Sequence, residues 1–349
     1  MSTMKIFDHA LLRKVGTDLL VATGAPEEEA RIVADELVEA SLMGLDSHGV
    51  IRFVQYANDA VAGKIKPGAP ITIVKETPTS AVVDCGFNFG PFTATRMVAI
   101  ATEKARAAGM ASVVSQNGQH VSRLGSYTQK LAQNGLFAFA VANSSKQGHW
   151  VVPWGGKDGR LATNPLSYAV PTGGTPIVMD MSTSMISEGK LRLLRNEGKP
   201  APGNAIQDAD GKATTDPNLF YGPPRGTIKP FGSEVGYKGF GLGLLVEILG
   251  GCMGGNRSSE DLPYVNGLFL LAIDPESLCG AERFRGLMDD LGVYMTSSSP
   301  APGYREVIMP GALDFRTREI RLKSGVPLDE ETWRQIKKTA QQLGVGVTL

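Results

Sequence analysis

Short runs of β-branched and apolar residues alternate with helical patterns through the middle of this 349-residue chain, and this alternation constrains the fold more than any other feature. Strands are predicted at residues 71–74, 81–84, 111–115, 136–142, 176–180 and 268–273. Helices are predicted between them at residues 92–108, 124–133, 182–196 and 239–253. Such an order is typical of an α/β layer, in which helices cover a sheet.

The two ends of the chain have helical patterns instead. Pro26 and the three glutamates after it suit the first turn of a helix, because proline needs no amide hydrogen there and carboxylates complement the helix dipole. Apolar residues then recur at spacings of three and four, and a similar pattern returns near the C-terminus. We therefore predict a helical domain built from residues 1–65 with 305–349, beside an α/β domain of residues 66–304.

Charge and hydropathy argue against two classes of partner. The chain carries 35 basic and 35 acidic residues, and no run of Lys and Arg forms a basic patch. No stretch approaches the ~20 apolar residues that a membrane span requires. We therefore predict that neither nucleic acid nor a membrane is a partner.

The cysteines indicate the compartment. Cys85, Cys252 and Cys279 are an odd number at wide spacings and include no CxxC pair, so neither a disulfide framework nor a metal site is predicted. The N-terminus lacks the apolar stretch and cleavage site of a signal peptide. A reducing, cytoplasmic location is predicted.

Glycine is frequent, at 42 of the 349 residues where ~7% is usual. This indicates tight turns or close backbone approaches, as a cofactor site requires. Gly239, Gly241 and Gly243 form GxGxG rather than the GxGxxG dinucleotide fingerprint, and no acidic residue ends a second strand at the right distance. A Rossmann fold is therefore not predicted. Esterase, P-loop and zincin motifs are also absent from the sequence.

Four histidines are present, and His48 is the first candidate for proton transfer. It lies at the start of a predicted helix, four residues before Arg52, so both side chains can point to one side. An arginine can hold a substrate carboxylate by paired hydrogen bonds while the histidine meets the carbonyl oxygen. The alternative is a helix cap formed by Asp46 or Ser47, with a solvated histidine.

His120 and Lys238 are two further candidates. His120 lies in a loop between a predicted strand and helix, where ligands commonly bind in α/β layers. The alternative for His120 is a structural loop residue. Lys238 directly precedes the glycine-rich helix and can meet a phosphate or a carboxamide, or it is a plain surface lysine.

Taken together, the segments resemble the type-2 malate/L-lactate dehydrogenase family, which includes ureidoglycolate dehydrogenase, diketogulonate reductase, piperideine-carboxylate reductase and hydroxycarboxylate dehydrogenase. The motifs that carry the resemblance are Asp46-Ser47-His48-Gly49 with Arg52, residues 117–127 with His120, Pro153-Trp154-Gly155-Gly156, Thr163-Asn164-Pro165, residues 179–184, Gly236-Tyr237-Lys238-Gly239 and residues 300–304. Each motif alone is weakly specific, but their shared order covers nearly the whole chain.

The resemblance implies a non-Rossmann α/β domain that binds NAD or NADP, a helical domain, and a homodimer with the site near the subunit contact. Positions implied to bind the cofactor are Ser144, Asp180, Met181, Ser182, Lys238 and Gly311. His48 and His120 are both implied in proton transfer, with Ser47 as a helper. Substrate-binding positions are Arg52, Tyr56 and Thr163.

Three departures from the family pattern stand out. Ala162 replaces the usual glycine before Thr-Asn-Pro, and Ala312-Leu313 replaces a more usual acidic or polar residue after Gly311. Leu268 stands where a histidine is common. The first two leave the choice between NAD and NADP open.

The predicted activity is reversible hydride transfer between NAD(P)H and C2 of a small 2-oxo or 2-hydroxy carboxylic acid. A cyclic-imine reductase acting on piperideine- or pyrroline-2-carboxylate is the alternative enzyme. A non-catalytic ligand-binding relative is the alternative from another class.

Overall fold

The computed structural model describes residues 4–255 and 265–346, and within them a seven-stranded mixed sheet runs in the order β2-β3-β4-β11-β5-β6-β7. The strands are β1 Met4–Phe7, β2 Thr72–Thr77, β3 Ser80–Asp84, β4 Met110–Gln116, β5 Phe137–Ala142, β6 Leu166–Val170, β7 Ile177–Met181, β8 Ile206–Gln207, β9 Ala213–Thr214, β10 Thr227–Ile228, β11 Leu268–Ile273 and β12 Val326–Asp329. The helices are α1 His9–Val21, α2 Glu27–Leu42, α3 Arg52–Val61, α4 Gly90–Ala108, α5 Gly125–Gln133, α6 Glu188–Asn196, α7 Pro217–Tyr221, α8 Tyr237–Val246, α9 Ala281–Thr296, α10 Ala312–Ser324 and α11 Glu330–Gln342.

Strand direction places several chain segments at one edge of this sheet. Strands β3 and β4 pair in parallel, and the other pairs of the sheet in the described chain are antiparallel. Since β11 is antiparallel to both β4 and β5, and β6 to both β5 and β7, the strands β3, β4, β5 and β7 all point the same way. Their carboxyl ends therefore share one edge. This confirms the predicted α/β fold. The mixed sheet is not the doubly wound parallel sheet of a Rossmann domain.

Helices from both chain ends share a hydrophobic core. It includes Leu12 of α1, Leu37 of α2, Phe53 of α3 and Trp333 of α11, all buried. The fully helical reading of the N-terminal segment is wrong at residues 4–7, which form β1 and pair with β12. The reason is tertiary, because this pairing joins the two chain ends. The exact bounds of the two domains stay a prediction.

Two predicted helices have different bounds. The helix predicted from residue 182 begins at Glu188, because Thr183 N–H donates to the Thr163 carbonyl at 3.0 Å and keeps the chain extended. The helix predicted at 239–253 begins at Tyr237, and it continues after Val246 as a π-turn, Glu247–Gly251. The elements missed by the sequence patterns include β6, α9 and α10. The other predicted strands and helices are present, with ends displaced by a few residues.

Candidate active site

Two histidines face each other beside the sheet. His48 ends the short 3-10 turn Asp46–His48 before α3, and His120 lies in the loop after β4. Their ring centroids are 5.9 Å apart, with 22° between the ring planes. Ser122 Oγ donates to the His48 carbonyl at 2.6 Å and so ties the two loops together. The histidines proposed for proton transfer thus share one cleft.

Tyr56 supports His120. Its hydroxyl oxygen lies 2.8 Å from His120 Nδ1 and 2.9 Å from the His120 carbonyl, and the side chain is 1% exposed. The hydroxyl can donate to Nδ1 of a neutral imidazole, or it can accept from Nδ1–H and donate to the carbonyl. This one side chain therefore suits both protonation states of His120. Such a contact favours a positioning role for Tyr56, and direct substrate binding stays a prediction.

Burial and a nearby cation keep both imidazoles neutral. Burial, with a smaller contribution from the Arg52 charge, lowers the pKa of His48 to about 4. Burial, followed by the charges of Arg52 and His48, holds the pKa of His120 well below its usual range. Each histidine is half-buried as a whole residue. A neutral imidazole can accept a proton from a ligand hydroxyl.

Arg52 supplies the positive charge of the site. Its Nε donates to the Ser47 carbonyl at 2.8 Å and its Nη1 to Gln55 Oε1 at 2.5 Å. Ser47 Oγ in turn lies 2.9 Å from His48 Nδ1. Among the described residues no carboxylate pairs with Arg52, so the outer N–H groups can bind a carboxylate ligand.

Asp180 connects β7, at one side of the sheet, to the start of helix α5. It lies in β7, and its Oδ2 accepts a hydrogen bond from Gly125 N–H at 2.7 Å. A Cβ at Gly125 would lie 2.9 Å from the same oxygen, so the close approach needs glycine. Burial raises the pKa of Asp180, and the Arg123 guanidinium opposes this shift. Gly125 lies five positions after His120 in the chain, so one segment carries both the histidine and the partner of the carboxylate.

Most of the other predicted residues lie along this edge. Ser144 follows β5, and its buried Oγ has no hydrogen-bond partner in the described parts of the chain. Met181 and Ser182 continue from Asp180, and half-buried Thr163 lies just before β6. Gly311 directly precedes α10 and has φ +85°, and a Cβ there would lie 2.7 Å from the Val178 carbonyl of β7.

Lys238 is exposed in the first turn of α8, and its ammonium lies 6.0 Å from the Tyr237 ring. Within the described ranges no hydrogen bond or ion pair connects it to the other candidates. The described contacts therefore join the histidines, Ser47, Arg52 and Tyr56 into one group, and none of them includes Lys238.

Sequence patterns missed several residues of the site. Ser122, at φ +62°, bridges the two histidine loops, and Arg123 is a buried cation near Asp180. Arg321 of α10 donates to both oxygens of Asp46, at 2.6 and 3.1 Å, and holds the turn that carries His48. These contacts join residues far apart in sequence, so no local spacing could reveal them.

A family model for malate/L-lactate dehydrogenase matches residues 7–337. The L-sulfolactate dehydrogenase of Methanocaldococcus jannaschii is 34% identical over 343 residues, covering 96% of each chain. A solved putative malate/lactate dehydrogenase from Escherichia coli superposes with a TM-score of 0.91 at 29% identity, covering 98% of this chain and 96% of the other.

A more distant structure shares the fold alone. The Δ1-piperideine-2-carboxylate reductase of Pseudomonas syringae superposes with a TM-score of 0.83 at 24% identity, over 96% of this chain and 100% of that one. The family model covers most of the chain, and the first relative named above exceeds 30% identity across almost its full length. The chain therefore belongs to the malate/L-lactate dehydrogenase family.

Proposed function

We propose that this chain transfers a hydride reversibly between NAD(P)H and C2 of a small 2-oxo or 2-hydroxy carboxylic acid. Its family makes it an oxidoreductase of hydroxy acids. The observation that carries the proposal is the neutral histidine pair beside Arg52, an arginine without a carboxylate partner in the described chain. Arginine, imidazole and a carboxylate substrate form a complementary set for this chemistry.

Arg52 would orient the substrate by its carboxylate, with the C2 oxygen directed toward the histidines. His120 would move the proton, because Tyr56 can stabilise its imidazole and its imidazolium alike. His48, hydrogen-bonded to Ser47, would line the opposite side of the oxygen. The bound nicotinamide supplies the hydride acceptor or donor. Holding the reacting carbons in contact contributes much of the rate.

The residues along the sheet edge fit such a cofactor. The Asp180 oxygen that Gly125 does not use has no hydrogen bond in the described chain, so it can accept one from a ribose hydroxyl. The buried Ser144 Oγ lacks a partner there as well, and a buried hydroxyl without one is costly. We propose that Ser144, Asp180, Met181, Ser182 and Gly311 bind NAD or NADP, and that Lys238 contributes from α8.

The lowered histidine pKa values set an expected pH profile. A general base must be neutral, and a lowered pKa keeps it neutral to lower pH. We expect kcat/KM for oxidation of a 2-hydroxy acid to stay level as the pH falls through the ordinary histidine value of about 6.5, with its acid limb well below that value. Initial rates at a series of pH values measure it. An acid limb at the ordinary histidine value would contradict a base in this buried cleft.

Arg321 is expected to affect turnover from outside the cleft. Replacing it by Gln breaks its pair with Asp46 and loosens the turn that carries Ser47 and His48. We expect kcat to fall about tenfold, with NAD(P)H affinity unchanged, because small displacements of catalytic groups are costly. Steady-state kinetics and a cofactor titration measure the two effects.

The matched control is Arg334→Gln, which removes an ion pair with Glu331 whose partners are 64% and 53% exposed. It is expected to leave kcat unchanged, because ion pairs exposed to solvent contribute little to the stability of the fold. If Arg321→Gln behaves like this control, Arg321 does not position the histidine turn.

Cyclic-imine reduction is the second candidate, because an imine carboxylate presents the same carboxylate and a reducible C=N carbon. A panel of 2-oxo acids and of piperideine- and pyrroline-2-carboxylate, each with NADH and with NADPH, separates the two reactions. We expect the highest kcat/KM with a 2-oxo acid. A cyclic imine as the best substrate would replace the proposed activity, and failure to bind either cofactor would leave a non-catalytic binding protein.

We further propose a homodimer in the cytoplasm. Helix α9 has no buried residue and exposes apolar side chains, among them Leu287, Leu291 and Tyr294. Helix α8 exposes Leu242, Leu244 and Leu245 in the same way.

Wide cysteine spacing supports the proposed reducing compartment. Among the described residues, no helix combines the length and apolar character needed to cross a membrane.

A further inference from the structure

A buried carboxylate joins two loops at the carboxyl edge of the sheet. Glu247 begins the π-turn at the end of α8 and is 6% exposed. Its Oε2 accepts a hydrogen bond from Asn143 Nδ2 and its Oε1 one from Asn164 Nδ2, each at 2.8 Å. π-turns within helices occur frequently at functional sites. One carboxylate thus binds the segment after β5 to the segment before β6.

Both asparagine amides have fixed orientations. Asn143 Oδ1 accepts from Gly267 N–H at 3.0 Å, so its NH2 group must face Glu247. Asn164 Nδ2 also donates to the Gly243 carbonyl at 2.9 Å, so both its hydrogens have acceptors. The site therefore needs two acceptor oxygens at position 247, which a carboxylate provides and a glutamine does not.

The two asparagines adjoin residues of the proposed site. Asn143 precedes Ser144, a proposed cofactor contact, and Asn164 follows Thr163, a predicted substrate contact. Asn164 has φ +41°, a backbone conformation that needs support from its surroundings. The carboxylate of Glu247 supplies that support and links it to the end of β5.

We propose that Glu247 is a positioning residue for cofactor binding, acting through Asn143 and Asn164 on Ser144 and Thr163. This inference rests on the proposed function, because it assumes that Ser144 lies against NAD(P)H. It assigns Glu247 no direct contact with substrate or cofactor. Its loss weakens cofactor binding more than it slows turnover at saturating cofactor.

Three variants test the inference. E247Q places an NH2 group against an NH2 group, and N143D places a carboxylate against a carboxylate. The double variant E247Q/N143D restores matched pairs, because the new amide at position 247 can donate to the new carboxylate at position 143. Asn164 then keeps an acceptor at position 247. Both substitutions preserve side-chain size.

Glu29→Gln is the matched control. Glu29 is also buried, at 3% exposure, and it also accepts from an asparagine, Asn88, at 3.0 Å. It lies in α2, among the helices of the chain ends. This variant is expected to lower the unfolding temperature and to leave the Kd of NADH and NADPH unchanged.

Kd is measured by fluorescence titration with NADH and NADPH, kcat at saturating cofactor, and the unfolding temperature by circular dichroism. We expect each single variant to raise the cofactor Kd about tenfold, with kcat within about threefold, and the double variant to return close to the parent. The inference is wrong if both single variants have the cofactor Kd of the parent. It is also wrong if the Kd of the double variant is no lower than that of the weaker-binding single variant. If the singles do not fold, a folded double variant that binds weakly also overturns it. A parent chain that binds neither cofactor instead refutes the proposed function.

Discussion

Replacing His120 by Asn is expected to lower kcat for the best 2-oxo acid by about 10²–10⁴-fold, the usual contribution of a general acid or base. Asparagine can accept the hydrogen bond from Tyr56, whose hydroxyl lies 2.8 Å from His120 Nδ1, but it cannot transfer a proton at neutral pH. The affinity for NAD(P)H is expected to stay unchanged, because the described contacts of the His120 side chain are with Tyr56, His48 and the Ser122 N–H, and none is with a residue proposed to bind the cofactor. Steady-state rates and a cofactor titration measure the two quantities.

Two further variants identify the group that moves the proton. His48→Asn is expected to reduce kcat less than His120→Asn, because Tyr56 supports His120 alone. Tyr56→Phe is expected to lower kcat about tenfold, since the imidazole remains but loses its shorter hydrogen bond at Nδ1 and keeps only the one from Ser122 N–H at 3.3 Å. A larger loss from His48→Asn would reverse the assignment of the two histidines. If both histidine variants keep the kcat of the parent enzyme, neither histidine transfers the proton.

Replacing Arg52 by Gln is expected to lower kcat/KM for 2-oxo acids by about 10²-fold. Hydrogen bonds to charged groups contribute about 1.5–3 kcal/mol, and Arg52 has no carboxylate partner in the described chain to replace a substrate. The variant also loses the hydrogen bonds from Arg52 to the Ser47 carbonyl and to Gln55 Oε1, so a substrate without the carboxylate charge is needed to separate substrate binding from support of the turn. NAD(P)H affinity is expected to remain unchanged.

A neutral substrate analogue isolates this contact. The amide of the best 2-oxo acid lacks the carboxylate charge. The kcat/KM of the parent enzyme with this amide should therefore be about as low as that of the Arg52→Gln variant with the acid. With the amide, parent and variant should give similar kcat/KM values, because the interaction is missing in both. An equal loss with acid and amide would mean that Arg52 supports the fold of the cleft rather than the substrate.

Local patterns predicted much of this architecture. The periodicity of residues 92–108 and the strand runs at 111–115 and 136–142 correspond to α4, β4 and β5. The spacing of His48 and Arg52 indicated a shared side, and Arg52 indeed binds the Ser47 carbonyl beside His48. These features depend on neighbours within a few residues, which is the information that periodicity contains.

Contacts between distant residues escaped the same reasoning. Tyr56 lies 64 residues from His120, and Arg321 lies 275 residues from Asp46. Strand β1 exists because β12 pairs with it, and the π-turn at Glu247 interrupts an otherwise helical pattern. Each depends on tertiary packing, which overrides local propensity and has no signal in a single sequence.

The central claim is direct hydride transfer to C2 of a 2-oxo acid, and deuterium labelling tests it most directly. NADH and NADPH carrying deuterium at C4 of the nicotinamide, on either face, are incubated with the enzyme and its best 2-oxo acid. The product is then examined by mass spectrometry and NMR. We expect deuterium at C2 of the 2-hydroxy acid from one labelled face only. Turnover that leaves C2 unlabelled with both faces would contradict the account.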